Sequence, residues 1–143
     1  MIKIGQIGIG HNHGEAKMLA VRKFPELFEV VGFAEENEEW IKRRGNLKSY
    51  EGLKRYSVDE LIEKCDALLI ETDVWNLTET AQKCIDAGKH IHMDKPASGT
   101  LEEYKKLLEA AKENPFTYEH EFAVQEVLDK IVGGVGFNGK NID

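Results

Sequence analysis

The sequence has no surplus of positive charge, no long apolar run and very little cysteine or proline. Nineteen Lys and Arg face 26 Asp and Glu, which leaves a formal charge of −7. Nucleic acid and anionic membranes are recognised by clustered cations, so this balance argues against both as partners. The short cluster Lys42-Arg43-Arg44 sits beside acids and reads as a solvated helix end. No apolar run approaches the roughly 18 residues of a membrane span. Met1 leads straight into a strand pattern rather than a signal peptide. The two cysteines, Cys65 and Cys84, lack metal-type spacing and lie in or near apolar segments. Buried free thiols are therefore expected, not a disulfide. Together these absences point to a soluble, reducing, cytoplasmic setting. Internal repeats and low-complexity segments are also missing.

What is present is an alternation of strand-like and helix-like segments in 143 residues, a length suited to one domain with a proper core. Ile2, Ile4, Ile7 and Ile9 form an apolar run suited to a strand buried on both faces. From Glu15 the spacing predicts a helix with Ala16, Leu19, Ala20 and Phe24 on its inner face, stopped by Pro25. Phe28 to Ala34 is a second strand ending in Glu35-Glu36. Asn37 caps a short helix that ends at Gly45. A weak strand is expected near Leu53, then a capping box at Ser57 and Glu60 opening a helix to Lys64. Ala67 to Ile70 and His90 to Met93 read as strands, separated by a helix over 78–87 with Ala81, Cys84 and Ile85 inward. Thr100 and Glu103 form a second capping box, ahead of a helix with Leu101, Tyr104, Leu107, Leu108 and Ala111 on one face. Pro115 ends it. A last strand at 116–120, an amphipathic helix over 122–132 and a glycine-containing tail complete the reading. This order predicts an α/β fold, a doubly wound parallel sheet in three α/β/α layers.

The first strand runs into Gly8-Ile9-Gly10-His11-Asn12-His13-Gly14 and a helix follows. A strand, a glycine turn and a helix present backbone N–H groups and a positive helix end to a diphosphate. The second strand ends in an acid, Glu35, which lies 35 − 10 = 25 residues beyond Gly10. A carboxylate about 20 residues on accepts hydrogen bonds from ribose hydroxyls in Rossmann-type folds. It would repel a 2′-phosphate, and no Arg directly follows it, so NAD is expected over NADP. The third position of the glycine pattern holds His13, with Gly14 one residue late.

A more specific likeness appears at Ala87-Gly88-Lys89-His90-Ile91-His92-Met93-Asp94-Lys95-Pro96. This stretch resembles the "AGKHV…EKP" segment of the Gfo/Idh/MocA family of nicotinamide-dependent oxidoreductases. GIGHNHG, VVGFAEEN and the helix over 101–112 resemble the family too. The likeness spans roughly residues 1–115. It implies a Rossmann fold, hydride transfer on substrates of the sugar or polyol type, and Lys95 as the catalytic lysine beside the nicotinamide. Asp94 stands where the family usually has Glu, and Pro96 fixes the turn. The segment Thr72-Asp73-Val74-Trp75-Asn76-Leu77 lacks the proline and histidine of the family's "TPNxxH". Candidate cofactor contacts are Gly8, Gly10, His11, Asn12, His13 and Glu35, with Thr72, Asp94, Lys95 and Pro96 added by the resemblance.

The family's second domain supplies most of the substrate pocket. Residues 1–118 are read as the nucleotide-binding domain and 119–143 as a terminal helix and tail at the start of that second domain. Such a chain is expected to bind NAD and to turn over weakly or not at all. The alternatives are a non-catalytic NAD-binding module or a subunit completed by another chain, and a remnant that binds nothing strongly. Self-association would cover the surface left by a missing second domain. The pairs His11/His13 and His90/His92 have chelating spacing, but the glycine turn and the family segment account for them, so no metal is expected. Trp75 is read either as a stacking partner for the cofactor or as a plain surface aromatic.

Overall fold

The computed structural model describes residues 1–94 and 100–113. Five strands form one parallel sheet: β1 (Ile2–Ile7), β2 (Phe28–Ala34), β3 (Lys54–Tyr56), β4 (Ala67–Ile70) and β5 (His90–Met93). Their order is β3-β2-β1-β4-β5, and every neighbouring pair is parallel. The register between β1 and β2 shifts once, between Ile4 and Gly5. The helices are α1 (Asn12–Val21), α2 (Glu38–Arg44), α3 (Val58–Lys64), α4 (Leu77–Asp86) and α5 (Leu101–Glu113). A single 3-10 turn, Val74–Asn76, precedes α4.

Alternation along the strands builds two cores. On one face, Ile7, Ala34, Leu68 and Ile70 pack with Leu61 and Ile62 of α3 and Leu77 and Cys84 of α4. On the other, Ile4, Phe33 and Leu69 pack with Met18 and Val21 of α1 and with Tyr50. In β4 the consecutive residues Leu68, Leu69 and Ile70 point alternately to the two cores, as a period of two requires. Each fully buried aliphatic side chain of this kind contributes about 1.5–3 kcal/mol. A third cluster joins Ala81 and Ile85 of α4 to Leu107 of α5. Cys65 and Cys84 are buried free thiols. Burial pushes them up to about 11 and about 12.

Caps set the helix starts. Asn37 accepts from the Glu39 N–H. Ser57 and Glu60 form the reciprocal capping box, and Thr100 and Glu103 bond in the same way. Gly88, with φ 70°, follows α4 in the left-handed region that favours glycine.

Two helical faces differ from the sequence expectation. In α1 the buried residues are Gly14, Met18 and Val21. Ala16 and Leu19 are exposed, and Phe24 lies past the helix end. The segment Met18-Leu19-Ala20-Val21 is apolar all round, so periodicity could not choose its face; the close approach of Gly14 to the sheet does. In α5 Leu107 is buried, whereas Leu101 and Leu108 are exposed at 70% and 45% and Ala111 is also exposed. That helix packs by Tyr104, Leu107 and Ala110. The expected strand at 116–120, the helix over 122–132 and the boundary at residue 118 lie outside the described residues, as do Lys95 and Pro96.

Candidate functional site

In an open parallel sheet, ligands bind beyond the carboxyl ends of the strands, where the strand order reverses. Here that point lies between β1 and β4. Four strand ends deliver the candidate residues: β1 runs into Gly8, β2 into Glu35, β4 into Glu71 and Thr72, and β5 into Asp94. The sheet thereby gathers residues that are far apart in sequence.

The glycine turn has the geometry its sequence demands. Gly8 has φ 92°, and a Cβ there would collide with the Glu71 carbonyl. Only glycine lets β1 turn so close to β4. A Cβ on Gly10 would press on the Trp40 ring. Gly14 is the third glycine in function, though one residue late. Within α1 it is buried against the Gln6 amide and the Glu71 side chain, the tight helix–strand contact that this glycine makes possible. Its displacement leaves His13 free to reach Asp94. The N-cap of α1 is His11, whose side chain makes no capping bond. The first N–H groups of a helix without such a cap are suited to an anion.

Glu35 ties the end of β2 to this turn. One carboxylate oxygen accepts from the Ile9 N–H at 3.0 Å and the other from the Asn37 N–H at 2.9 Å. Glu35 lines a cleft of about 530 Å³ with Gly8, Glu36, Asn37, Thr72, Asp73 and Glu79 among its walls. The cation on that wall, Lys83, is paired with Asp59. Asn12 accepts from Arg44 at 3.1 Å, and the same guanidinium pairs with Glu15.

On the β4–β5 side the residues form a tighter group. His13 Nδ1 lies 3.2 Å from Asp94 Oδ2, and His11 Nε2 lies 3.4 Å from the same oxygen. Burial lowers the His11 pKa, and the carboxylate of Asp94 opposes this. Lys17 of α1 donates to Glu71 Oε1 and to Asp94 Oδ1. Glu71 is buried, which pushes its carboxyl up to about 7 against the pull of Lys17.

Of the sequence-derived candidates, Gly8, Glu35 and Thr72 meet at the cleft, and His11, His13 and Asp94 meet at the second group. Asn12 faces Arg44. Trp75 is 86% exposed and lines a neighbouring depression with Thr78, Gln82, Glu103 and Lys106, which adjoins the Glu35 cleft at Glu79 and Lys83. Three residues escaped the sequence reading. Gln6 donates to the Gly8 carbonyl at 2.8 Å and to the Tyr50 hydroxyl at 2.9 Å, and so holds the turn from below. Its signal was a polar residue inside an apolar strand. Glu71 had a similar signal, an acid directly after an apolar strand. Lys17 had none, since its partners are 54 and 77 residues away.

No curated protein matches the chain significantly. Solved structures do. UDP-N-acetylglucosamine 3-dehydrogenase GnnA from Acidithiobacillus ferrooxidans is 27% identical, with a TM-score of 0.62 over 79% of this chain and 35% of its own. The dehydrogenase MviM from Clostridium difficile is 27% identical, with a TM-score of 0.67 over 79% and 36%. A biliverdin reductase from Synechocystis, solved with biliverdin and NADP+, is 22% identical with a TM-score of 0.67 over 79% and 35%, a likeness of fold alone. The chain spans about a third of the length of these structures. At residues 2–122 the sequence matches the oxidoreductase family with an NAD-binding Rossmann fold, and the chain belongs to that family, Gfo/Idh/MocA.

Proposed function

We propose that these residues form the nucleotide half of a hydride-transfer site that takes NAD in preference to NADP. Glu35 carries this reading. It stands at the end of β2, bonded to the glycine turn, on the wall of an acidic cleft. A 2′-phosphate would bring roughly −1.5 to −2 further charge beside Glu35, Glu36, Asp73 and Glu79. The cofactor fits the donor set. Gly8 and Gly10 shape the turn, and the α1 N-terminus, with no side-chain cap, would meet the diphosphate. Glu35 would accept from the ribose, and Thr72 would line the cleft. Bound NAD supplies a hydride acceptor.

By the family resemblance, Lys95 would stabilise alkoxide character at a sugar or polyol carbinol, with Asp94 and Pro96 placing it. Water must be kept from such a step, which is the task of a closed cleft. These 143 residues by themselves are therefore expected to bind NAD and to turn over weakly or not at all. A cytoplasmic location and self-association belong to the same reading. The alternative is a non-catalytic NAD-binding module or a subunit completed by another chain, favoured by the absence of the family's proline and histidine from 72–77.

Calorimetric titration with NAD and NADP tests the proposal. NAD should bind more tightly. Glu35→Ala should weaken NAD by about tenfold, in line with the loss of a charged hydrogen bond, and narrow the difference from NADP. No binding up to millimolar NAD, or an unchanged preference in the variant, would overturn it. A hydride-transfer assay on sugars and polyols separates the enzyme from the module.

A further inference from the structure

We propose that His11, His13, Asp94 and Glu71 form a site for a divalent transition-metal ion of the zinc kind, at the β4–β5 side of the crevice. Among the described residues, His11, His13 and Asp94 form one group whose candidate ligand atoms all lie within 4.8 Å of one another. The distances of the two imidazoles to Asp94 match a tetrahedral site, and Glu71 lies slightly farther out as a fourth ligand. Zinc–nitrogen and zinc–oxygen bonds of about 2.0–2.1 Å place tetrahedral ligands about 3.3–3.4 Å apart. His13 Nδ1 and His11 Nε2 lie 3.2 and 3.4 Å from Asp94 Oδ2, and Glu71 Oε2 lies 3.8 Å from His11 Nε2.

A second observation points the same way. Glu71 Oε2 is buried, belongs to a residue only 1% exposed, and has no hydrogen-bond partner. A buried carboxylate oxygen in that condition is costly unless something else meets it. It faces His11. Lys17 accounts for the arrangement. Its ammonium holds Glu71 Oε1 and Asp94 Oδ1, the outer oxygen of each carboxylate, and turns the inner oxygens toward the imidazoles. Outer contacts of this kind orient metal ligands.

The charges also fit. With Glu71 ionised, two carboxylates face one ammonium, and the group carries net negative charge when the imidazoles are neutral. The positive end of α1 opposes a cation with about half a charge, less than the one net negative charge that the two carboxylates and Lys17 leave. Two imidazoles with carboxylates suit zinc, nickel, cobalt or iron rather than magnesium or calcium. His11 and His13 come from the turn and first residues of α1, and the carboxylates from the ends of β4 and β5. The site thus spans the strand-order reversal and adjoins the α1 N-terminus, where the diphosphate would sit.

The test uses the whole 143-residue chain, stripped with a chelator and titrated with Co2+ alone. A visible d–d band should saturate at one equivalent, and Zn2+ should abolish it. His13→Ala, at a half-exposed position where folding tolerates the change, should weaken Co2+ roughly 10–100-fold. Asp94→Asn should do the same, with folding of both variants checked by circular dichroism. Glu71→Gln keeps the shape of the side chain and should alter the band. Absence of a saturating band up to about millimolar Co2+ would overturn the proposal, as would a band that His13→Ala and Asp94→Asn leave unchanged. NAD titration of the same stripped sample keeps the two readings apart. Protein that binds NAD but no Co2+ sinks only the metal site, and the reverse sinks only the dinucleotide reading.

Discussion

The two halves of the crevice handle acidic residues in opposite ways. At the end of β2, Glu35 is half-buried, and backbone N–H groups satisfy each of its oxygens. Its partners lie in the glycine turn and in the residue just before α2. At the ends of β4 and β5, Glu71 and Asp94 are buried, and their named side-chain partners are Lys17 and His13 of α1 and its N-cap His11. Backbone donors fix an acid wherever the fold places it. Side-chain donors must arrive from elsewhere, and each can be removed by one substitution. The first half is therefore robust and generic, and the second is specific to this sequence.

The largest effect should come from breaking the second half. Lys17→Met would leave Glu71 and Asp94 facing each other's neighbourhood without their ammonium. Removing one partner of a buried ion pair costs about 3–5 kcal/mol, and partial exposure of Lys17 at 23% puts the expected loss at the lower end. Urea unfolding in chelator would measure it. The double variant Lys17→Met/Glu71→Gln should recover much of the loss, with a coupling of at least about 1 kcal/mol between the two sites. Additive effects would mean that Lys17 and Glu71 are neighbours without being partners.

This contrast also explains what the sequence made legible. The strands, the capping boxes at 57–60 and 100–103, the glycine at 88 and the glycine turn depend on neighbours within a few residues, and patterns of spacing read them well. Glu35 was legible because a strand end and a fixed separation locate it. The facing of α1 was not, since its apolar residues surround the helix and the contact of Gly14 with β1 and Glu71 selects the buried side. The Lys17–Glu71–Asp94 group was hidden for the same physical reason. Its members meet only after β1, β4 and β5 have paired, and no local pattern links positions 17, 71 and 94. His11 and His13 were noticed as a pair, yet the third and fourth members of their group came from other strand ends.

The seam between the halves gives the next effect. Gly8→Ala forces a left-handed φ on a residue with a Cβ and drives that atom into the Glu71 backbone. Strain of this kind costs about 1–3 kcal/mol, and the backbone collision should bring the loss to the upper part of that range. Gly10→Ala makes the sharper comparison. Its φ is ordinary and its obstacle is the Trp40 ring, a side chain that can shift. It should cost clearly less in urea unfolding. Equal losses would show that the turn is limited by packing on Trp40 rather than by its approach to β4.

The smallest effect is expected at Trp75, and it decides between the two roles the sequence left open. The residue follows β4 on the 3-10 turn, close in sequence to Thr72 of the cleft. Proximity in sequence suggested stacking on the cofactor. The structure sets the ring 86% exposed, in a depression between α4 and α5 that meets the Glu35 cleft only at Glu79 and Lys83. Trp75→Ala should therefore change stability by no more than about 0.5 kcal/mol, the usual range for a surface position. NAD affinity should stay within about twofold, because base–aromatic stacking, worth about 1–3 kcal/mol where it occurs, would not be lost. A tenfold fall in NAD affinity at unchanged stability would place the ring over the cofactor after all. It would also extend the first half of the crevice past β4, and the division between a generic and a sequence-specific half would have to be redrawn at the 3-10 turn.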